Sequence, residues 1–586
     1  MIHKTKIMQK YPAQPHSLEI SFLNVISIAN VLLAITSLVV TSGGFKVSAD
    51  VREAFDLLDW FISAFFIVEY YIRWWIAGFK LSYLKTNGHD FALIFLFFLL
   101  PLPFLKYSQN PFIAHNIDET VMAKLYIIGN LVSKGVSLWQ RIAKIDLKPS
   151  FLVITSFLLL ILTGTWLLLL PGATVKPEGI SITDAVFTAA SATCLTGLTM
   201  VDIGSSFSRF GQIVILSLIQ IGGIGLMTVV IFFLLILGKE MNIREITIIS
   251  NIINARSRAR VPLIILSTFA LTLVFEVIGT LLLYVAWSDV GSFDHGSVLY
   301  YSIFHSISSF CNSGFTLFQD SFLEFRDNIL FNVTTIALII IGGLGFAVII
   351  NVIKAGIFKN VVISLHTKFV FTVTLSLIAI SAIIILIVEW FGSLYELPVI
   401  NKIISACFMA VTARTAGFTT INMGDFSFAC QFMIIFLMFI GASPGGTGGG
   451  IKTSTFGVFI SYVWSTLKGR NLPEIFKRTI PKDIVNNALT LIILSFIFIS
   501  VFGFAILFVE KGDMFDILFE LFSAFGNVGL SLGVTPNLTT LGKIIIMMTM
   551  LAGKVGTLTL VLAISQIRQL NKNIAYEYTE EDVTIG

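Results

Sequence analysis

Four short strings that end in glycine carry residue types that could hold a bare cation. Main-chain carbonyls at such a turn can replace the water shell of an ion without adding formal charge. Glycine suits this role because it reaches positive φ angles at little steric cost. The sequence therefore predicts an ion selectivity filter at four pairs of residues: Thr196 and Gly197, Ser313 and Gly314, Ala416 and Gly417, and Val528 and Gly529.

The strings recur together with their surroundings, which indicates an internal repeat. Each filter glycine follows one apolar run and precedes another, and the following run holds a second glycine 24 to 28 positions later: Gly222, Gly342, Gly441 and Gly553. A single glycine in a membrane helix is usually a packing contact, but four copies at a constant position favour one unit used four times. Each unit is predicted to run helix, half-helix, filter turn, helix, and one turn from each unit would complete a ring.

The composition places these units in a membrane. Of 586 residues, 56% are hydrophobic and 12% are charged, whereas about a quarter are charged in soluble domains. Apolar runs of about 20 residues match a bilayer core and must be helical there, since hydrocarbon offers the backbone no hydrogen-bond partner. The predicted fold class is an all-α polytopic membrane protein with four pore-loop repeats in a pseudo-fourfold arrangement, plus extra N-terminal transmembrane helices. Four isolated cysteines and a net charge of +4 indicate no zinc site, disulfide framework or nucleic-acid partner.

The predicted domain boundaries follow the repeats. Residues 1–147 hold accessory N-terminal helices, the four units occupy residues 148–250, 251–360, 361–475 and 476–570, and residues 571–586 form a cytoplasmic tail. The predicted first helices are Phe151–Leu170, Pro262–Ala286, Lys368–Trp390 and Asn487–Val509, and the second helices are Phe210–Leu237, Ile329–Ile353, Ala429–Leu467 and Leu541–Ile567. All three linkers between units are basic, which places them on the cytoplasmic side and gives the units parallel topology.

Several motifs resemble those of the Trk/Ktr/HKT superfamily of potassium transporters, specifically the bacterial Trk/Ktr-type membrane subunit. They are Thr196-Gly197-Leu198-Thr199, Gln220-Ile221-Gly222-Gly223-Ile224-Gly225, Ser364-Leu365-His366-Thr367-Lys368 and Gly441-Ala-Ser-Pro-Gly-Gly-Thr-Gly-Gly-Gly450-Ile451-Lys452-Thr453. The resemblance covers roughly residues 148–570. It implies potassium uptake through one pore, with K⁺ at Gly197, Gly314, Gly417 and Gly529, in a multi-pass protein of the cell membrane without a covalently bound cofactor. It also implies a homodimer that docks a cytoplasmic nucleotide-binding regulatory subunit.

The same resemblance gives the glycine-rich string the role of an intramembrane gate below the filter. The implied gate residues are Gly445, Gly446, Thr447, Gly448, Gly449, Gly450, Lys452 and Lys554, the last at a position where the family usually has arginine. This many glycines together with Pro444 cannot hold a continuous helix. Two alternatives stay open, a passive flexible kink and a phosphate-binding loop. The phosphate motif needs lysine directly after its last glycine, and Ile451 intervenes here.

The choice of ion and the class of transporter follow from the same residues. Glycine at all four filter positions implies selectivity for potassium, and the alternative is a sodium-permeable or sodium-coupled transporter of the same fold. A secondary transporter with alternating access would also show repeats and broken helices, but its repeats are commonly inverted. An enzyme is disfavoured because the sequence has no clustered histidines or cysteines, no paired carboxylates and no soluble catalytic domain.

Residues 1–147 do not repeat the unit. Spans are predicted near Ile20–Val40, Leu57–Ile76 and Ala92–Leu105, and an amphipathic stretch follows from Val121 to Ile145. Glu69 and Arg73 on one helix face, with Asp90 before the next run, resemble the second and third helices of a voltage sensor. The later cations Lys124, Lys134, Arg141 and Lys144 are too sparse for a regular gating helix, so an accessory helical domain is predicted.

Overall fold

Three helices precede the repeats in the part of the chain that the structure describes. The computed structural model describes residues 17–76 (without 43, 46 and 47), 90–95 (without 92), 119–143, 149–237 (without 177), 261–288, 295–357, 362–557 (without 471) and 559. N-terminal helices 1, 2 and 3 are Ser17–Thr41, Ala49–Ile76 and Glu119–Ala143. Their shared core contains Ala34, Ile62, Phe66, Tyr70, Ile94, Tyr126 and Ile127. The span predicted near Ala92–Leu105 lies largely outside the described residues.

Each of the four units opens with a long apolar helix, here called outer helices 1 to 4. They are Pro149–Leu168, Val261–Ser288, Leu365–Val388 and Lys482–Val509. All four are long and apolar enough to cross a membrane. They expose large apolar side chains such as Leu273, Ile387 and Phe504, which is the pattern expected of helices that face lipid. The chain is an all-α polytopic membrane protein.

A shorter helix follows each outer helix and ends at the filter string. These pore helices 1 to 4 are Ile182–Cys194, His295–Phe310, Val399–Thr412 and Met514–Gly526. A helix rises about 1.5 Å per residue, so 13 to 16 residues cannot span a bilayer core of roughly 30 Å. Ser181 and Asp513 cap the first and fourth through side-chain oxygens, which fixes where those helices begin. The pore helices are re-entrant segments.

The helix after each filter turn, here called the inner helix, is broken in units 1 to 3. Inner helix 1 consists of Arg209–Ile224 and Leu226–Ile236, bent by 90°, and inner helix 2 of Ile329–Leu344 and Phe346–Ile357, bent by 103°. Inner helix 3 consists of Phe428–Phe439 and Thr453–Leu467, and inner helix 4 is Thr540–Val555. Single helices at Phe210–Leu237 and Ile329–Ile353 are therefore wrong predictions. The end of the predicted helix Leu541–Ile567 lies largely outside the described residues.

The cause of the breaks is a glycine three positions after the second glycine of the unit. Gly225 and Gly345 have φ angles of 87° and 91°, and Gly556, which ends inner helix 4, has 91°. A right-handed helix cannot continue through positive φ, and only glycine adopts it without strain. Pro444 stands at the matching position of unit 3, where residues 440–452 leave the helix as the segment here called the gate loop.

Apolar cores between neighbouring units close the four units into a circle. One core joins units 1 and 2, with Ile215 and Phe304 fully buried, and another joins units 2 and 3. A third joins units 4 and 1, where Phe187 packs with Leu521. Units 3 and 4 meet through the rings of Phe439 and Phe525, whose centroids are 6.0 Å apart. A two-stranded antiparallel hairpin, Glu474–Ile475 with Arg478–Thr479, lies in the linker between units 3 and 4.

Candidate ion-conduction pathway

The four filter glycines lie together in a closed ring. A Cβ atom built on Gly314 would lie 3.3 Å from the Cα atom of Gly197 and 3.4 Å from that of Gly417. One built on Gly529 would lie 3.2 Å from the Gly197 Cα atom, which closes the ring. The order around the ring is the order along the chain, units 1, 2, 3 and 4. The structure thus brings all eight sequence-predicted filter residues to one axis.

Carbonyl oxygens occupy the space beside each filter glycine. A Cβ atom on Gly197 would lie 2.5 Å from the Ser313 oxygen, and one on Gly417 would lie 2.2 Å from the Val528 oxygen. The matching distances are 3.0 Å from Gly314 to the Ala416 oxygen and 2.3 Å from Gly529 to the Thr196 oxygen. A real Cβ atom almost never comes within 3.0 Å of such an atom, so three of the positions cannot take a side chain without moving the ring.

The filter turns share an unusual backbone conformation. The four glycines have φ angles of 85°, 72°, 77° and 93° in chain order. The residue two positions before each glycine also has positive φ: Leu195, Asn312, Thr415 and Asn527. None of these four is glycine, and non-glycine residues seldom adopt such angles. Strain of this kind persists where the surrounding structure enforces it, commonly at functional sites.

Side chains behind the turns hold the strained backbone across unit boundaries. Asn527 donates a hydrogen bond to the Thr196 hydroxyl at 2.8 Å and another to the Met550 carbonyl at 3.0 Å. Asn312 and the Thr415 hydroxyl form the matching bond between units 2 and 3 at 3.2 Å. The two asparagines occupy the same position in units 2 and 4, so the bonds alternate around the ring.

Pore-helix hydroxyls bind the filter differently in different units. Ser308 donates to the carbonyl of Phe315 at 2.6 Å, and Thr412 donates to the carbonyl of Phe418 at 2.8 Å. These carbonyls belong to the residue just after the filter glycine in units 2 and 3. In unit 4 the Ser523 hydroxyl instead accepts a hydrogen bond from the Gly529 amide at 3.0 Å. The outer end of the ring is therefore less symmetric than the glycines themselves.

The second glycine of each unit allows the inner helix to approach the filter closely. A Cβ atom on Gly222 would lie 2.2 Å from the Thr193 carbonyl oxygen, and one on Gly342 would lie 1.8 Å from that of Phe310. Gly553 makes the same approach to Phe525 at 1.9 Å. In each case the carbonyl lies four residues before the filter glycine. Gly441 is the exception, because its neighbour at 1.8 Å is the Gly449 oxygen of the gate loop.

The gate loop packs against the lower side of the ring. A Cβ atom on Gly448 would lie 2.4 Å from the Thr415 hydroxyl, and one on Gly449 would lie 2.0 Å from the Asn527 amide oxygen. Both contacts are to the residues two positions before filter glycines. The structure therefore places two of the sequence-predicted loop residues, Gly448 and Gly449, next to the turns of units 3 and 4.

Backbone hydrogen bonds tie the gate loop to units 2 and 4 and close the loop on itself. The amides of Ser443 and Thr447 donate to the carbonyls of Gly343 and Gly342 at 3.0 and 3.2 Å. In the other direction the Phe346 amide donates to the Gly445 carbonyl at 3.2 Å. The Gly450 amide donates to the Gly553 carbonyl at 3.2 Å, and the amide of Gly441 donates to the carbonyl of Ile451 at 2.8 Å. The loop is thus hydrogen-bonded to two neighbouring units in this structure.

Three cations surround the gate loop, with Arg414 buried and Lys452 and Lys554 half-buried. Lys452 donates to the Gly448 carbonyl at 2.7 Å, and Lys554 donates to the Thr447 carbonyl at 2.5 Å. Arg414, which the sequence analysis did not select, lies at the end of pore helix 3, and its Nη2 donates to the Gly441 carbonyl at 3.4 Å. In the described part of the chain none of the three forms an ion pair with a carboxylate. Their charges therefore remain uncompensated below the filter.

Two acidic residues at helix ends have structural partners. The Asp184 carboxylate pairs with Lys543 at 2.7 Å and so joins pore helix 1 to inner helix 4. Glu389, predicted inside a span, instead follows outer helix 3 and accepts hydrogen bonds from Ser427 and Ser393. Burial alone would raise the pKa of Glu389, but these hydrogen bonds outweigh it and lower the pKa below its ordinary value.

A family comparison identifies this arrangement. The sequence model of TrkH, described as a cation transport protein, matches residues 123–575. The chain belongs to the TrkH family of cation transport proteins. Membership in the TrkH family makes it a transporter of cations in a membrane rather than an enzyme.

Individual relatives agree with the TrkH assignment. The Ktr system potassium uptake protein B of Bacillus subtilis is 39% identical over 425 residues, which cover 72% of this chain and 94% of that protein. The potassium/sodium uptake protein NtpJ of Enterococcus hirae is 35% identical over 455 residues, 76% of this chain and 99% of that protein. The crystal structure of the potassium transporter TrkH from Vibrio parahaemolyticus has a TM-score of 0.59 and 17% identity, and it covers 82% of this chain and 98% of that one. The last comparison shows a shared fold.

The same comparisons separate the N-terminal helices from the transporter. The TrkH match begins at residue 123, inside N-terminal helix 3. The Bacillus and Enterococcus relatives are matched over nearly their whole length by about three quarters of this chain. N-terminal helices 1 and 2 therefore lie outside the part that matches the TrkH family.

Proposed function

We propose that this TrkH-family protein takes up potassium ions across the cell membrane through the ring formed by the four filter turns. The observation that carries the proposal is the closed order of Gly197, Gly314, Gly417 and Gly529, each with a carbonyl oxygen of the next unit beside it. K⁺ would bind at these glycines, with oxygens from all four units replacing its water. The C-terminal ends of the four pore helices, which carry partial negative charge, would further stabilise the ion.

The gate loop would control passage below the ring. Gly448 and Gly449 lie against the turns of units 3 and 4. Lys452 and Lys554 hold the loop through the Gly448 and Thr447 carbonyls. A cation leaving the filter would meet these uncompensated positive charges, which oppose its passage. Movement of the loop would then be needed for a high rate of transport.

Assembly and ion preference complete the proposal. The protein would act as a homodimer that docks a cytoplasmic nucleotide-binding regulatory subunit, as the family resemblance implies. A sodium-permeable or sodium-coupled transporter is the second candidate, because one relative, at 35% identity, carries the name potassium/sodium uptake protein. Glycine at all four ring positions supports the preference for potassium.

The test is ion flux into liposomes that contain the purified protein. We expect K⁺ flux well above that of empty liposomes and above Na⁺ flux. Gly417→Ala places a Cβ atom 2.2 Å from the Val528 oxygen and should reduce K⁺ flux or its preference over Na⁺ by about tenfold or more, equivalent to about 1.4 kcal/mol. Gly179→Ala is the matched control, since Gly179 also has positive φ, 76°, but nothing lies within 4 Å of its Cβ position. Equal flux and ion preference in the two variants would contradict the proposal, and Na⁺ flux equal to K⁺ flux in the unmodified protein would favour the second candidate.

A further inference from the structure

The N-terminal bundle exposes large apolar side chains and places several charged residues between its helices. Leu32, Phe61, Phe65, Leu125 and Ile128 are among its large exposed side chains. Charged residues instead lie between the helices, where Asp59 is fully buried and Glu69 is 6% exposed. This distribution fits a bundle within the bilayer, where an ionisable group is expensive and is by default a sign of function.

A single lysine of N-terminal helix 3 lies at the centre of this charged interior. The Lys134 ammonium pairs with the Glu69 carboxylate of N-terminal helix 2 at 2.7 Å, and it also contacts Ser27 of N-terminal helix 1. It lies 4.8 Å from the centroid of the Phe66 ring. Arg73 pairs with the same carboxylate at 2.9 Å. A buried ion pair is seldom more stabilising than apolar packing of the same volume, so support of the bundle alone does not explain it.

A second carboxylate of the same helix has an oxygen without a hydrogen-bond partner in the described part of the chain. Asp59 lies ten residues before Glu69, about 15 Å along the helix axis. Its Oδ1 accepts a hydrogen bond from Ser37 at 2.5 Å, whereas its Oδ2 has no partner within the described residues. Phe66 stands between the two carboxylates in the chain. Lys134 therefore pairs with Glu69 in this structure, and Asp59 offers a second carboxylate with one unpartnered oxygen on the far side of Phe66 in the chain.

The direction across the membrane follows from the chain. Lys124 pairs with Asp56 and Lys134 with Glu69, so N-terminal helices 2 and 3 run parallel. N-terminal helix 3 ends at Ala143 and outer helix 1 begins at Pro149, on the side that the basic linkers assign to the cytoplasm. Glu69 is thus the inner position and Asp59 the outer one. A less negative cytoplasm would drive the Lys134 charge outward.

N-terminal helix 3 also touches the pore. Val132 packs against Ile231 and Leu234 of inner helix 1 and Ile265 of outer helix 2. Val132 and Lys134 are two residues apart and so about 200° apart around the helix, with one facing the pore and the other facing Glu69. Ile231 and Leu234 lie just beyond the 90° bend at Gly225. A displacement of N-terminal helix 3 would therefore act on the lower, cytoplasmic part of inner helix 1.

We propose that the N-terminal bundle is a membrane-potential sensor in which Lys134 moves between Glu69 and Asp59 and acts on inner helix 1 through Val132. The sensor is a function additional to cation transport, and its readout as K⁺ current rests on the proposed function. One charge moved through the whole membrane field changes an equilibrium by about 50-fold per ~100 mV, and a partial displacement changes it by less. Because only one lysine moves, the dependence of the equilibrium on voltage should be weak.

The test is K⁺ current through voltage-clamped liposome patches with equal K⁺ on both sides. The unmodified protein should show a conductance that changes with voltage by up to about 50-fold per ~100 mV. Lys134→Gln should abolish this dependence, Lys134→Arg should keep it, and Asp59→Asn should shift it along the voltage axis. Arg470→Gln removes one exposed charge that pairs with Glu474 outside the bundle and should change nothing. A K⁺ current independent of voltage, or an unchanged dependence in Lys134→Gln, would overturn the sensor but not the transporter.

A second measurement separates failure of the sensor from failure of transport. A fluorophore attached at Leu125→Cys, which is 53% exposed on N-terminal helix 3, should change its emission with voltage even in a protein that carries no current. The same labelling without Leu125→Cys corrects for the native cysteines. If the emission changes with voltage but no K⁺ current is found, the proposed function is contradicted and the sensor is supported. If the emission does not change with voltage, the sensor is contradicted.

Discussion

The ammonium group of Lys554 donates a hydrogen bond to the main-chain carbonyl of Thr447 at 2.5 Å. This bond joins inner helix 4 to the gate loop of unit 3. It uses a single donor, so a lysine serves here without the planar fork of an arginine. Thr447 in turn lies near pore helix 2, with its hydroxyl 3.5 Å from the Phe310 carbonyl. Lys554 therefore holds the centre of the gate loop under the filter.

Replacing Lys554 should open the pathway. We expect Lys554→Met to raise the rate of K⁺ flux about tenfold or more, because a hydrogen bond from a charged donor contributes about 1.5–3 kcal/mol to the closed arrangement. The ratio of K⁺ to Na⁺ flux should stay nearly constant, since the filter turns are untouched. Liposome flux assays check both quantities. Lys554→Arg keeps the charge and should stay within about threefold of the unmodified rate. A reduced rate in Lys554→Met would show that the lysine helps ions through.

The close approach of inner helix 2 to pore helix 2 should be sensitive to a single methyl group. Gly342→Ala would place a Cβ atom 1.8 Å from the Phe310 oxygen and should lower thermal stability in detergent, by an amount typical of overpacked cores, about 1–3 kcal/mol. Gly356→Ala is the matched control in the same inner helix, where nothing lies within 4 Å. Alanine is the better helix former by about 1 kcal/mol, so the control should be neutral or stabilised. Equal melting temperatures for the two variants would contradict this packing.

Hydroxyl groups behind the ring should matter for selectivity in unit 3. Thr412→Val removes the hydrogen bond to the Phe418 carbonyl and keeps the shape of the side chain, so the carbonyl is free to move. We expect the K⁺ preference to fall about three- to tenfold, the range given by one neutral hydrogen bond. Competition of Na⁺ with K⁺ uptake measures it. Thr466→Val, whose exposed hydroxyl bonds only Tyr462 of its own helix, should keep the original preference, and a loss in both variants would point to a general effect.

The Glu389 contacts predict a dependence of stability on pH. Since its pKa is lowered in the folded protein, its contribution is complete above the ordinary glutamate pKa of about 4.3 and is lost as pH falls below that value. Glu389→Gln should therefore be less stable than the unmodified protein at pH 7, by about 2 kcal/mol for its charge-assisted hydrogen bonds. The difference should shrink at pH 3. Thermal unfolding in detergent at both values checks this, with the exposed Glu396→Gln as control. A difference that is the same at pH 7 and pH 3 would assign the effect to side-chain shape.

The fold could be predicted from the sequence because the repeated glycines meet the same structural requirement in one unit after another. The filter glycines mark turns with positive φ, and Gly222, Gly342 and Gly553 mark the places where an inner helix meets a pore-helix carbonyl. Both requirements are local and recur in each unit, so they leave a period in the sequence. The membrane then allows only helices for the apolar runs between them. The units and their order could be predicted from these facts alone.

Other features depend on contacts that do not recur from unit to unit, so no repeat in the sequence indicates them. Arg414 differs from the residues at the matching positions, Cys194, Cys311 and Gly526, and only the position of the Gly441 carbonyl shows what it binds. The bends of the inner helices did leave a signal, a glycine three positions after the second glycine. In unit 1 this glycine is Gly225, the last residue of the motif Gln220–Gly225. The end of a helix at Gly225 was not predicted.

Gly441 differs from the other three second glycines, because the carbonyl nearest to its Cβ position belongs to its own loop and not to its pore helix. A channel built from four identical chains could not make such an exception, since any change in one subunit appears in all of them. A single polypeptide can alter one quadrant and leave three intact. A substitution in one unit of this protein therefore changes one quarter of the pathway, and the other three units stay unchanged for comparison.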